Sequence, residues 1–161
     1  MYEKKFSDWL AWQERKKIPS KNFPGIYIIA LSTRHLAGKL FTWRKEIIYI
    51  GMTNSVGGLI GRLAHFDDTI SGKKLRHGGA DRVRYKHRKY NFLTNQLFVS
   101  VVSFDCDVSS KLPDDLRMMG KVVEFEYICF AQYAKKFGKL PEFNDMKASP
   151  KFSLKVKKRK V

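Results

Sequence analysis

The sequence predicts a single-domain α/β fold of the mixed (α+β) sandwich type. Three observations predict it: short β-branched runs bounded by turn formers, longer stretches with helical apolar spacing, and a length of 161 residues that suits one core. The opening residues Phe6-Ser7-Asp8-Trp9-Leu10-Ala11-Trp12 carry apolar side chains at near-helical spacing behind a Ser7 or Asp8 cap, so a short docking helix is expected within residues 1–22. After Pro19 and Pro24, Gly25-Ile26-Tyr27-Ile28-Ile29-Ala30-Leu31 suits a buried strand, and Ile47-Ile48-Tyr49-Ile50-Gly51-Met52 a second. The linker over about 32–45 is long for a hairpin loop. Thr53-Asn54-Ser55-Val56-Gly57-Gly58 is a turn signal, beyond which Leu59, Leu63, Phe66 and Ile70 fall on one helical face. A basic helix over 79–90, a third strand over 97–102 and a buried helix from about Met118 to Phe137, ended by Gly138 and Pro141, complete the order. The core is expected over 23–146 and a basic tail over 147–161.

Charge narrows the partner. Lysine and arginine outnumber aspartate and glutamate by 32 to 15, giving a net charge of +17, an excess that calls for a polyanion. The cations are not confined to Lys155, Lys157, Lys158, Arg159 and Lys160 at the end. Arg76, Arg82, Arg84, Lys86, His87, Arg88 and Lys89 crowd one mid-chain segment, which favours nucleic acid over a membrane surface. No stretch approaches the roughly 18 apolar residues of a membrane span, and a cytoplasmic location is expected. Cys106 and Cys129 lack metal-site spacing and are expected to be buried free thiols in a reducing compartment.

Strand periodicity places Tyr27 on a face with Gly25 and Ile29, and Tyr49 on a face with Ile47 and Gly51. If the two strands pair, the phenols lie side by side and the glycines leave space for a substrate. Arg62 and His65, three apart on the next helix, are neighbours that flank its apolar stripe. Glu124 shares a face with Tyr127, Ile128 and Ala131, and an unpaired carboxylate on a buried helix would be costly, so a cation or an arginine must compensate it. Glu126 competes for the same role. Asp67 and Asp68 look like a metal pair but are expected to form a solvated face.

Gly25-Ile26-Tyr27 followed by Tyr49-Ile50-Gly51 resembles the signature of the GIY-YIG nuclease superfamily. The resemblance extends over most of the chain through Arg62, His65, the pattern Glu124-x-x-Tyr127-Ile128 and Asn144, in that order. It implies a three-stranded antiparallel sheet flanked by helices, and hydrolysis of DNA phosphodiester bonds with Mg²⁺ or Mn²⁺. On this resemblance a tyrosine oxygen takes a proton from the attacking water, Arg62 steadies the phosphate, and Glu124 holds the metal that stabilises the leaving oxygen. His65 joins the catalytic set, while Gly51 and Asn144 position the substrate. A tyrosine of pKa near 10 is ionised in only about one molecule in a thousand at neutral pH, so Arg62, His65 or the metal must activate it. Tyr27 and Tyr49 are assigned jointly.

Two segments depart from the family's minimal core. Gly78 and Gly79 open a helix carrying Arg82, Tyr85 and Lys89 on one face and Arg84 and Arg88 on another; with Lys86 it reads as an element tracking nucleic acid. The long linker offers Arg34, His35, Trp43 and Arg44 for base recognition. No residues remain for a separate DNA-binding domain, so a stand-alone restriction-type or phage/mobile-element endonuclease acting on duplex DNA is expected. Cutting both strands with one site favours a homodimer or sequential nicking, and a restriction role would bring a cognate methyltransferase. The rivals are a non-catalytic basic nucleic-acid-binding protein on the same fold and an RNA-directed nuclease.

Overall fold

In the computed structural model, which describes residues 4–75 and 77–152, a four-stranded antiparallel sheet lies between two helical layers. The elements are β1 (Leu10–Ala11), a 3₁₀ turn (Trp12–Lys17), β2 (Gly25–Leu31), β3 (Ile47–Thr53), α1 (Gly58–Ser71), α2 (Gly78–Lys86), α3 (Tyr90–Thr94), β4 (Leu97–Ser103) and α4 (Pro113–Phe137). The strand order is β1-β4-β2-β3, so β2 is central and β3 is an outer strand. Two cores follow from the strand alternation. Ile29, Val99 and Val101 meet Leu59, Leu63, Phe66 and Ile70 of α1 on one face. Ile26, Ile28, Ile50 and Val102 meet Val122, Cys129 and Tyr133 of α4 on the other.

The fourth strand comes from the opening segment, where a docking helix was expected. The Ser7 backbone donates to the Val101 carbonyl, and the Ser7 hydroxyl accepts from the Val101 amide, so Ser7 extends β4 instead of capping a helix. Trp9 and Trp12 are buried in the two cores, which makes the segment part of the domain body. The basic helix is also shorter than expected. It ends at Lys86, because His87 takes an extended conformation before α3 begins. The long linker folds back on the α4 face, with Leu36 buried, Trp43 half-buried against Tyr133, and two backbone bonds tying Gly38 and Lys39 to Trp9. Trp43 is thus core material, and Arg34 is paired with Glu46. Cys129 is buried, whereas Cys106 is half-buried; both are free thiols. Among the described residues no helix is long and apolar enough to cross a membrane. The tail cations at 155–160 and Arg76 lie outside the described residues.

Asp67 overturns the expectation of a solvated acidic pair. It is buried at the junction of α1, the 3₁₀ turn and α3, where it accepts from Trp12 Nε1 and Tyr90 Oη, each at 2.8 Å, and pairs with Arg15 at 3.1 Å. Burial and the Asp67 carboxylate together push the Tyr90 phenol up to about 12. Removing the carboxylate leaves the Trp12 and Tyr90 donors without their acceptor and takes the ion-pair partner from a largely buried Arg15, which keeps its bond to the Trp12 carbonyl. Asp67→Ala is therefore expected to lose roughly 3 kcal/mol in urea unfolding, whereas Asp68→Ala, at a half-buried position whose carboxylate forms no ion pair among the described residues, should change stability by less than about 1 kcal/mol.

Candidate active site

Antiparallel pairing of β2 with β3 sets Tyr27 opposite Gly51 and Ile29 opposite Tyr49, which makes the two tyrosines diagonal neighbours on the α1 face. Their ring centroids are 6.0 Å apart. A register shift at Ile29/Ala30 sends Ile47 to the α4 face, so Ile48, not Ile47, accompanies Tyr49. Gly51 is a steric requirement, since a Cβ there would run into the Tyr27 hydroxyl. Gly79 at the start of α2 is the second, because a Cβ there would run into the Tyr49 ring. The two glycines thus form the slot that holds Tyr49 against Tyr27.

The residue the sequence did not single out is His77. It is the N-cap of α2, with Nδ1 accepting the Ala80 amide proton at 3.2 Å, and its Nε2 lies 2.5 Å from the Tyr27 hydroxyl. Burial, then the charges of Arg62 and His65, push its pKa down to about 3, so the ring is neutral at physiological pH. With Nδ1 committed as an acceptor, the single ring proton must sit on Nε2 and point at Tyr27. The Arg62 guanidinium and the Tyr49 phenol also lie within hydrogen-bonding reach of Tyr27. His65, one turn beyond Arg62 on α1, is half-buried and close enough to His77 to act on its charge.

Burial dominates both phenols. It raises Tyr27, which is fully enclosed, well above the usual tyrosine range, and raises half-buried Tyr49 as well, with Arg62 opposing in each case. Cationic activation is therefore present in direction but outweighed in this state. Arg62 itself has spare capacity. Its Nε–H is buried without a hydrogen-bond partner, and among the described residues it forms no salt bridge.

The carboxylate that faces this cluster is Glu126. It is half-buried, with burial raising its pKa and Arg62 opposing, and its charge acts on Tyr49. Glu124, expected on a buried face, is exposed. The inner line of α4 is Val122, Cys129 and Tyr133; Glu126 is four residues after Val122 and three before Cys129, whereas Glu124 lies more than half a turn away. Tyr127 and Ile128, which were placed on the apolar inner side with it, are exposed too. Asn144 meets the site through backbone. Its amide accepts from Ile50 N at 2.9 Å and donates to Ile50 O at 2.7 Å, mimicking a paired strand along the open edge of β3 between Tyr49 and Gly51.

Among the described residues no cluster of three or more metal-ligating side chains occurs. One carboxylate beside an unsatisfied arginine still fits Mg²⁺ or Mn²⁺, since such ions need only one or two carboxylates when phosphate oxygens and water complete the shell. The basic residues separate by environment. Arg82 is buried and donates to the carbonyls of Met146 and Ser149, which makes it a structural tie and not a nucleic-acid contact. Arg84 is half-buried over the Phe152 ring. Lys86, Arg88 and Lys89 are exposed around a groove with Phe92, at the opposite end of α2 from His77. Comparison with known proteins finds no matching family model, no matching curated protein and no matching solved structure.

Proposed function

We propose that the protein is a divalent-metal-dependent endonuclease of the GIY-YIG type that hydrolyses DNA phosphodiester bonds. The observation that carries this is the convergence of Tyr27, Tyr49 and His77 beside Arg62, whose Nε–H has no partner, with the Glu126 carboxylate facing the same cluster from α4. Arg62 Nε–H is a preorganised donor for a phosphate oxygen. Glu126 takes the metal-holding role in place of Glu124. When bound there, a divalent ion supplies positive charge to the leaving oxygen and favours ionisation of the nearby phenol.

The donor order supports Tyr49 as the base. His77 Nε2–H points at the Tyr27 oxygen, which leaves the Tyr27 proton free to be donated to Tyr49. Tyr49, the more accessible phenol, is in that arrangement the one whose anion is stabilised by hydrogen bonding. A water oxygen then attacks phosphorus, its proton passes to the ionised Tyr49 oxygen, and the bond from phosphorus to the leaving oxygen breaks, that oxygen departing as an anion that takes a proton from solvent. Arg88 and Lys89, with Lys86 beside them in an exposed ion pair with Glu142, extend a cationic path away from the site, and the exposed Phe92 ring offers a surface on which a base can stack.

The test is incubation of the pure protein with supercoiled plasmid, with and without Mg²⁺ or Mn²⁺. Wild type should nick only with metal, and Tyr49→Phe should be slower by about 10²–10⁴-fold. Absence of nicking on DNA and RNA across both metals would overturn the enzyme reading and leave a basic nucleic-acid-binding protein. Burial raises the Tyr49 phenol from its ordinary value in the free protein, and a phenol that stays mostly protonated in the metal-loaded complex gains about tenfold in ionised fraction per pH unit. The nicking rate should therefore climb with a logarithmic slope near one from about pH 6.5 to 8.5, and a flat profile would remove a phenol from the base role.

A further inference from the structure

The outer face of α4 is apolar although nothing within the described chain covers it. Leu116 is 51% exposed, Val123 42% and Tyr127 68%, and Leu112, just before the helix, is 67% exposed. With Gly120 these residues repeat every three or four positions, which lines them up along one side of the helix, away from the inner line of Val122, Cys129 and Tyr133. Gly120 has open space where its Cβ would be, so packing within the chain gives no reason for it. In a helix interior a glycine costs about 1 kcal/mol relative to alanine. A position that bears this cost while facing solvent allows another backbone to come close.

We infer that this face pairs two copies of the chain, with α4 crossing its twin antiparallel at Gly120. The spacing about the glycine is self-complementary. Leu116 and Val123 lie four residues before and three after it, so a two-fold axis near Gly120 sets each against the other, and Leu112 falls against Tyr127. The charges choose the direction. Arg117 and Glu124 are exposed and flank the stripe on one side, three residues before the glycine and four after. Antiparallel pairing brings this flank of one copy against the same flank of the other and sets Arg117 beside Glu124, twice, whereas parallel pairing would turn the flank towards the opposite edge of the partner's stripe and make neither contact. The weak ion pair of Arg117 with exposed Asp114 does not hold it in place. This surface turns away from the inner line of Val122, Cys129 and Tyr133, and its test needs no nuclease activity, so its failure and that of the nuclease reading are distinguishable.

Sedimentation equilibrium on the full chain, from about 1 to 100 μM in buffer without nucleic acid or metal, tests this. Wild type should show a reversible monomer–dimer equilibrium. Gly120→Leu should weaken it at least about tenfold while the thermal midpoint of the monomer holds or rises, since leucine is the better helix former. Glu124→Arg should weaken the dimer, and the double variant Arg117→Glu/Glu124→Arg should restore it. A wild-type chain that stays monomeric throughout, or a dimer indifferent to Gly120→Leu, overturns the proposal. A dimer that tolerates Gly120→Leu but not Glu124→Arg would place the contact elsewhere on α4 and also overturn it.

Discussion

Exchange of Glu126 for glutamine is expected to reduce metal-dependent plasmid nicking by about 10³-fold, while the same exchange at Glu124 leaves it within about threefold. Glutamine keeps the volume and a carbonyl oxygen, so α4 packs as before; what disappears is the negative charge. Burial already disfavours that charge, and only Arg62 opposes the penalty in the absence of substrate. A cationic ligand at this position therefore gains from relieving a standing electrostatic cost. Removing the charge should also uncouple activity from metal identity, leaving equally low rates with Mg²⁺ and Mn²⁺. Circular dichroism of Glu126→Gln should match wild type. If Glu124→Gln proves inactive and Glu126→Gln active, Glu126 is not the metal-holding carboxylate, and the role returns to the exposed Glu124.

The contrast between these glutamates shows which information was local. The two tyrosine strands were legible because period-two alternation, β-branched content and bounding prolines all act within seven residues. The α1 stripe was legible for the same reason, with Leu59, Leu63, Phe66 and Ile70 buried on one side. Glu124 was favoured by its spacing to Tyr127 and Ile128, yet both of those are exposed. The helix does carry the correct signal. Val122, Cys129 and Tyr133 define a narrower inner line, and Glu126 sits beside it. The opening segment misled because tryptophans at near-helical spacing suit a helix and an edge strand followed by a 3₁₀ turn equally well; pairing with β4, about ninety residues away, decided between them. Asp67 and Arg82 were misplaced by the general rule that charges lie outside, which fails where a carboxylate gathers three donors or a guanidinium meets free carbonyls.

His77 escaped notice because histidine is not among the residues that usually cap helices, and its partner Tyr27 is fifty positions away. Its position makes the second large prediction. In the unfolded chain the imidazole takes up a proton near pH 6.5, whereas in the fold it resists protonation down to about 3. The unfolded state therefore binds more protons throughout that window, so stability is highest above pH 6.5 and falls as the pH drops towards 3. At about 1.4 kcal/mol per pH unit, the His77 contribution between pH 6.5 and 4.5 is about 2–3 kcal/mol. Carboxylates add their own slope in acid, so the informative quantity is the difference between wild type and His77→Asn. Asparagine can still accept the Ala80 amide proton as a cap, but it has no group that titrates and no donor for Tyr27. The stability advantage of wild type over His77→Asn should shrink by that amount between pH 6.5 and 4.5, and parallel profiles would mean that residue 77 is not held neutral by the fold. At pH 7.5 the variant should also nick plasmid about 10–100-fold more slowly with little change in DNA affinity, because Tyr27 loses the donor that turns its own proton towards Tyr49. His77→Gln, whose amide can reach the Tyr27 oxygen, should recover part of that rate while losing the cap. That reversal separates a residue that orients the tyrosine pair from one that only starts a helix.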